Sequence, residues 1–398
     1  MSNSLLSRWP CFTEQEIAAV ATVMRSNNVN YWTGSECRNF ENEFAAWSGS
    51  SKAIALANGT VALDLALHGL GIGLAHGGSR NDEVVVTPRT FLASVSCVVN
   101  AGATPVFADV ELESGNISAK TIAKVLTPAT KAIIPVHLAG WPCDMDAIME
   151  IARADGVKVI EDCAQAHGAR YKGKSVGTIG DVGAWSFCQD KIMTTGGEGG
   201  MVTCDDPALW SRMWSFKDHG KDWDAVYERS HPPGFRWVHE SFGTNWRMLE
   251  VQGAIGRIQL EQILDWVTKR KCNAEKLKSV LGYFPDAISI PDVPTGFEHA
   301  YYRLYAYVRQ DGLNPGWSRD RIIAACMDKG APVFQGSCSE VYLEKAFDNT
   351  SFKPSSRLPN AQELGETSLA FLTHPSIKVV DLERYCAIIT QTLRQACQ

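Results

Sequence analysis

Residues 185–200 read WSFCQDKIMTTGGEGG, and the division of this stretch decides how the chain is parsed. Its start continues the apolar run Gly183-Ala184-Trp185-Ser186-Phe187, which predicts a short buried strand. A polar turn follows, Cys188-Gln189-Asp190, and then a single lysine, Lys191. Two threonines come next, with Gly196, Gly197, Gly199 and Gly200 around Glu198. Glycines let backbone approach a small ligand closely, and loops at strand ends carry function more often than the scaffold beneath them. Lys191 therefore stands where a lysine can meet a ligand. The plain alternative is a solvated surface lysine, and the rest of the chain decides between the two.

Upstream, short apolar segments alternate with segments of helical spacing. Residues 53–57 (AIALA), 83–87 (EVVVT), 104–108, 132–136, 157–161 (VKVIE), 183–187 and 200–204 are predicted strands. Residues 61–70, 91–100, 118–126 and 145–154 are predicted helices. Strands that are apolar residue after residue are covered on both faces. The pattern predicts an α/β large domain whose mostly parallel seven-stranded sheet lies between helices. Sheets of this kind hold ligands at the carboxyl ends of their strands. A dinucleotide site is the natural competitor. However, GLGIG at 69–73 lacks the G-x-G-x-x-G spacing and follows a helix, and no Walker lysine motif occurs.

Ahead of this layer, residues 13–25 (TEQEIAAVATVMR) predict an amphipathic helix, with Thr13 as N-cap and Glu16 three residues on. Residues 31–34 form a turn bearing two aromatics, and 40–47 a second helix; together these read as an opening arm outside the core. From 218 to 246 the alternation stops, and His, Pro, Trp and Tyr accumulate. So long an irregular segment is functional or interface-forming, or else a packed surface excursion. Residues 249–281 carry long helical periodicity and read as a connecting helix. A strand at 301–308 and helices near 319–329, 361–369 and 381–395 predict a smaller C-terminal α+β domain. The chain is thus divided into an arm and large domain over 1–250, and a connecting helix and small domain over 251–398.

A chain of 398 residues with 45% hydrophobic content can bury two cores. Its net charge of −6 argues against a general nucleic-acid or anionic-membrane binder, while allowing a local phosphate pocket. The 12 cysteines include no C-x-x-C pair and read as reduced thiols. Cys163 and His167 are four apart, but no second pair completes a zinc site, so no metal is expected. The opening MSNSLLSRWPCFTEQE lacks a signal pattern, and no run reaches the ~18 apolar residues of a membrane helix, so a cytoplasmic location is expected.

Five features converge on Lys191. Asp162 ends the predicted strand VKVIE, where a carboxylate can pair with a protonated pyridine nitrogen and keep the ring an electron sink; it also suits a helix N-cap. Asn58-Gly59-Thr60 lies between a strand and a helix, where free N–H groups and a hydroxyl suit a phosphate dianion, or simply make a turn. Ser186, five residues before the lysine, can reach the same phosphate or bond its own backbone. Phe91 can cover one face of a flat ring or sit in the core. Gln165 can hydrogen-bond a ring hydroxyl or remain a solvated helix residue. Together they fit a pyridoxal phosphate held as a Schiff base on Lys191.

These residues lie in segments that resemble the DegT/DnrJ/StrS-type sugar aminotransferases, whose fold is that of aspartate aminotransferase, fold type I. The resemblance spans nearly the whole chain. It runs through WTGSECRNFENEFA, Asn58-Gly59-Thr60-Val61-Ala62-Leu63, GATPVFADVE, PVHLAGWPCDMDAI and EDCAQAHGARYKGKSVGTIGDVGAWSF, with looser matches at SFGTNWRM and FLTHPS. EDCAQAHG and SF-x-x-x-K together are its most specific part. The resemblance implies that Lys191 forms the Schiff base, Asp162 holds the pyridine nitrogen, Gln165 the ring hydroxyl and Phe91 the ring face. Gly59, Thr60 and Ser186 would hold the phosphate. Asn245 would reach the phosphate in a neighbouring subunit, making a homodimer with shared sites obligatory. Two departures stand out: Gly243-Thr244-Asn245-Trp246 is less aromatic than the family pattern, and TTGGEGG is one residue longer than TTGEGG.

The implied reaction takes an amino group from L-glutamate, passes it through pyridoxamine 5'-phosphate, and delivers it to a keto-deoxysugar linked to a nucleotide diphosphate, for surface polysaccharide or related amino-sugar synthesis. The region around TTGGEGG favours a 4-keto acceptor. The freed lysine can carry a proton between the substrate carbon and the cofactor carbon, provided burial lowers its pKa enough. Lys217, Lys221 and Arg236 are candidate ligands for the diphosphate, while no single arginine stands out for the glutamate carboxylates. Related dehydratases carry histidine at the lysine position, so Lys191 argues against that activity. The intact set Asp162, Gln165, Ser186, Lys191 and Asn245 argues against a non-catalytic regulatory protein.

Overall fold

The run EVVV at 83–86 explains the central layer. In the computed structural model, which describes residues 5–397, Val84 and Val86 point into one hydrophobic core and Val85 into another on the opposite face. Ile134 and Ile133 divide the same way, as do Ile160 and Val159. Both faces of the sheet are buried, which is why its strands are apolar on successive residues. Residues 1–4 and 398, at the outer ends of the two predicted domains, lie outside the described residues.

Seven strands form this sheet: β1 (Lys52–Leu56), β2 (Glu83–Val86), β3 (Thr104–Phe107), β4 (Thr130–Ile134), β5 (Lys158–Asp162), β6 (Val182–Ser186) and β7 (Gly200–Cys204), in the order β1-β7-β6-β5-β4-β2-β3. Strands β2 to β6 pair in parallel, while β7 is antiparallel to both β6 and β1. Six of the seven strands therefore run the same way, and their carboxyl ends share one edge of the sheet.

The opening segment differs from the expected peripheral arm. Helix α1 (Glu14–Ser26) begins as expected, with the Glu16 carboxylate accepting the Thr13 N–H at 2.6 Å. Helix α2 (Glu36–Ser48) is longer than the predicted 40–47 and packs on the sheet. Its Phe40 and Phe44 are fully buried against Trp185, Phe187 and the helix Glu250–Leu281, because the apolar residues of α2 recur on the face that meets β1.

The 32-residue helix Glu250–Leu281 leads into a second core. Here β8 (Ile288–Ser289), β9 (Arg303–Val308), β10 (Val333–Phe334) and β11 (Ser368–Leu372) form an antiparallel sheet in the order β8-β9-β11-β10, covered by Arg319–Asp328 and Val379–Ala396. Strand β11 was not apparent in the sequence, where 361–369 reads as helix. The helix ends at Thr367 and Ser368 turns extended. Leu6 packs into this second core, so the first described residues sit with the smaller sheet. No described helix is long and apolar enough to cross a membrane.

Candidate active site

The parallel strands deliver their ends to a cavity of about 570 Å³. That volume lies within the usual range for small-molecule sites. Asp162 is the last residue of β5 and Ser186 the last of β6; Gly59 and Thr60 open helix α3 (Gly59–Leu70), and all four line the cavity with Phe91, Gln165 and Lys191. Seven of the eight residues expected at the site therefore meet. The eighth, Asn245, is exposed and stands outside this lining.

The start of α3 forms a phosphate-sized cradle. Asn58 caps the helix by accepting the Val61 N–H at 3.0 Å, which leaves the Gly59 and Thr60 amides to face outward. Gly59 is required by close approach: a Cβ there would lie 2.5 Å from Ser186 Cβ. Gly200 is tighter still, with a Cβ placed 2.3 Å from the Asn58 carbonyl oxygen. Ser186 Oγ accepts the Cys188 N–H at 3.3 Å, so its own O–H is free to donate into the cavity.

Asp162 is 5% exposed, and among the described residues no cation lies within ion-pair distance of it. Its oxygens accept from Ser94 Oγ at 2.7 Å and the Ala164 N–H at 3.1 Å. Burial pushes its pKa up, against the Ser94 and Ala164 hydrogen bonds and the charge of Lys191. A buried carboxylate poised in this way suits a protonated ring nitrogen, whose charge would favour ionisation. Gln165 is equally constrained. Its Oε1 accepts the Ala139 N–H at 2.7 Å, which turns its amide nitrogen away as a donor. Phe91 is 72% exposed at the cavity mouth, so it is neither a core residue nor confined by neighbours. Free amides and hydroxyls, a buried unpaired carboxylate, an aimed amide and a lysine together fit pyridoxal phosphate.

Lys191 departs from expectation. Burial pulls its pKa down, but Tyr302 and Asp190 outweigh burial and leave the amine's pKa above the ordinary lysine value. Asp190 Oδ1 lies 3.3 Å from Nζ, and the Tyr302 hydroxyl donates to the other Asp190 oxygen. Sequence reasoning named neither residue as a site residue: Asp190 read as a turn, and Tyr302 comes from 111 positions away in the second sheet region.

A second cavity of about 390 Å³ adjoins the first and shares Lys191, Asp190, Gln165 and Phe91 with it. Its far wall comes from the smaller sheet and includes Arg303, whose guanidinium stacks on Tyr302 at 4.4 Å and has no carboxylate within ion-pair distance among the described residues. The predicted diphosphate ligands fare differently. Lys217 is fully buried, 3.5 Å from the Tyr31 ring centre and 3.8 Å from Asp218. Lys221 pairs with Asp218 at 3.2 Å and lies over Trp32. Lys217 is thus internal and Lys221 half-buried in its ion pair, while Arg236 is exposed. Residues 218–246 combine a packed half, where Trp223 and Tyr227 meet Trp214 and Trp32, with bare Phe235, Trp237 and Phe242.

His137, Glu161 and Cys163 form a buried cluster with metal-ligand side chains, but the lone pairs of its carboxylate and imidazole are committed. Glu161 accepts from the amides of Gly177, Ile179 and Gly180 and from His137 Nε2, while His137 Nδ1 accepts the Cys143 N–H. The cluster clamps the loop before β6. His167 contacts Trp185 and Phe187 with both ring nitrogens unpartnered, and burial holds its pKa down at about 3.

Comparison with known proteins gives the family. Residues 10–390 match the DegT/DnrJ/EryC1/StrS aminotransferase family. The chain is 36% identical over 358 residues to a GDP-perosamine synthase of Caulobacter vibrioides, covering 89% of each chain. It is 38% identical over 373 residues to the dTDP-3-amino-3,4,6-trideoxy-alpha-D-glucose transaminase of Streptomyces venezuelae, covering 92% of this chain and 90% of the other. The crystal structure of an aminotransferase from Psychrobacter cryohalolentis superposes with a TM-score of 0.95 at 56% identity, covering 98% of this chain and 99% of that one.

Proposed function

The chain belongs to the DegT/DnrJ/EryC1/StrS aminotransferase family and is a pyridoxal phosphate-dependent transaminase, and from that premise we propose that it moves an amino group from L-glutamate to the 4-keto position of a nucleotide-linked deoxysugar. The observation that carries this reading is the convergence of Asp162, Gln165, Lys191 and the Gly59-Thr60-Ser186 cradle on one cavity that opens into a second. Bound pyridoxal phosphate supplies an aldehyde for the donor amine and an electron-withdrawing ring beside the carbon that loses its proton.

The protein's own groups divide the remaining tasks. Asp162 would hold positive charge at the ring nitrogen, Gln165 would donate to the ring hydroxyl, and the α3 amides with Ser186 would bind the phosphate. Lys191 would anchor the cofactor and, once released, its Nζ would move the proton that the substrate carbon loses. Arg303 is the cation available to a donor carboxylate in the adjoining cavity.

The first cavity is lined by Asp162, Asp190, Glu198 and Lys191 as its charged groups, an acidic set for a phosphate ligand. This deficit supports a homodimer in which Asn245, and cations of the exposed 218–246 segment such as Arg236, serve the partner's site. The bare aromatics Phe235, Trp237 and Phe242 support the same assembly. Amination at C-3 is the second reading, favoured by the Streptomyces venezuelae relative, whose name places its amine there.

The test mixes purified protein, cofactor and glutamate with a panel of 3-keto and 4-keto nucleotide sugars, and reads products by mass spectrometry. An amino sugar from a 4-keto member supports the assignment, a 3-keto product moves it to C-3, and no product from any member sinks it.

A further inference from the structure

The scheme above gives no task to the acid beside the reactive lysine, or to the tyrosine that grips it. Asp190 Oδ1 lies 3.3 Å from Lys191 Nζ, while its other oxygen accepts the Tyr302 hydroxyl. Tyr302 stands at the threshold of β9 and is 6% exposed. Its N–H donates to the Ala139 carbonyl at 2.8 Å, and its ring centre lies 5.4 Å from Lys191 Nζ. The contact thus joins the lysine turn after β6 to the edge of the smaller sheet.

The other titratable groups facing Lys191 are differently engaged. Asp162 is bonded to Ser94 and Ala164, and His167 sits among Trp185 and Phe187. Cys188 shares the lysine's own turn, Glu198 lies across the glycine turn, and Arg303 stacks on Tyr302. Among the described residues, Asp190 is the anion within ion-pair distance of the amine.

Resting on the reading of Lys191 as the cofactor lysine, we infer that Asp190 and Tyr302 are positioning residues for the transfer: Asp190 docks the Lys191 amine whenever it is not joined to the cofactor, and Tyr302 fixes Asp190 from the smaller sheet. No bond forms or breaks at Asp190. Docking itself transfers no proton between Nζ and Asp190. A lysine stem has four rotatable carbons, and docking holds its amine within reach of the site instead of letting it sample solvent. The upward displacement of the Lys191 pKa agrees with this contact. Burial pushes the Tyr302 phenol pKa up.

The test uses the full chain stripped of cofactor. An amine-reactive reagent is applied across about pH 7 to 11, and peptide mass mapping scores labelling at residue 191. Removing so close an anion lowers a lysine pKa by about one unit or more, so D190N raises the labelling rate near pH 8.5 about tenfold. Y302F, which keeps the ring, shifts the profile the same way by less, and D190E returns it toward wild type. Coincident wild-type and D190N profiles overturn the proposal. If D190N does not fold by circular dichroism, an unshifted Y302F profile overturns it instead. Borohydride trapping of pyridoxal phosphate on wild-type residue 191 runs alongside. Absence of trapping removes the parent reading, whereas trapping with unshifted profiles removes only this one.

Discussion

At Lys191 the neighbouring charges oppose what burial alone would do, and the outcome is an amine that binds its proton more tightly than usual. The proposed anchoring of the cofactor through this one nitrogen makes a sharp demand on it. Lys191→Ala is expected to abolish transamination, by at least about 10⁴-fold, while the cradle still binds pyridoxal phosphate non-covalently. Activity assays and the loss of a borohydride-stable adduct check this. His167 shows the reverse electrostatics. Its folded pKa is about 3, held down first by burial and then by the charges of Lys191 and Arg270, against an ordinary value near 6.5. Between those values the unfolded chain binds a proton that the folded chain does not. The stability due to a neutral His167 is therefore complete above about pH 6.5 and is lost as pH falls toward 3. His374, displaced in the same direction and also buried, adds to the slope. The melting temperature of wild type is expected to fall on acidification from pH 7 to pH 4, and to fall less steeply in His167→Phe. Parallel curves would assign the acid sensitivity elsewhere.

The element that matters most is the junction of β6, β7 and the start of α3. Three backbones converge there, and Gly59 and Gly200 are the residues that let them close. Gly59→Ala forces a methyl group onto Ser186, so it should cost about 1–3 kcal/mol of stability by overpacking and weaken cofactor binding about tenfold or more. Thermal melting and cofactor titration measure the two effects. A stable variant that binds normally would mean that the junction can relax. The turn itself was legible in Asn58-Gly59-Thr60, since a strand, a glycine and a helix of clear periodicity announce it. What the sequence did not carry was the identity of the partner strand, because pairing of β1 with β7 joins residues some 150 apart.

At the scale of the molecule, the cavity at the strand ends of the large sheet is acidic, while exposed aromatics and Arg236 gather on residues 218–246 outside it. If Asn245 acts across a dimer, two defective variants should repair one another. Lys191→Ala and Asn245→Ala proteins, each weak alone, are expected to regain activity when dissociated and reassembled together, with about a quarter of the sites intact at equal mixing. Mixed protein no more active than the average of its parents would confine Asn245 to its own subunit. The proposed division near residue 250 falls at the start of the helix Glu250–Leu281, whose far half packs into the second core.

Periodicity and glycine placement in the sequence were enough to determine the seven strands, their buried character, and the gathering of Asp162, Gln165, Ser186 and Lys191 at strand ends. These follow from local rules: a strand alternates its faces, and a chain leaving a strand end must turn there. Only the tertiary structure decided that α2 belongs to the core, that Lys217 is buried and Lys221 paired with Asp218, and that Asp190, Tyr302 and Arg303 surround the lysine. Each of those depends on contacts between residues far apart in the chain, and charge interactions act through distance in space, which spacing along the sequence does not encode.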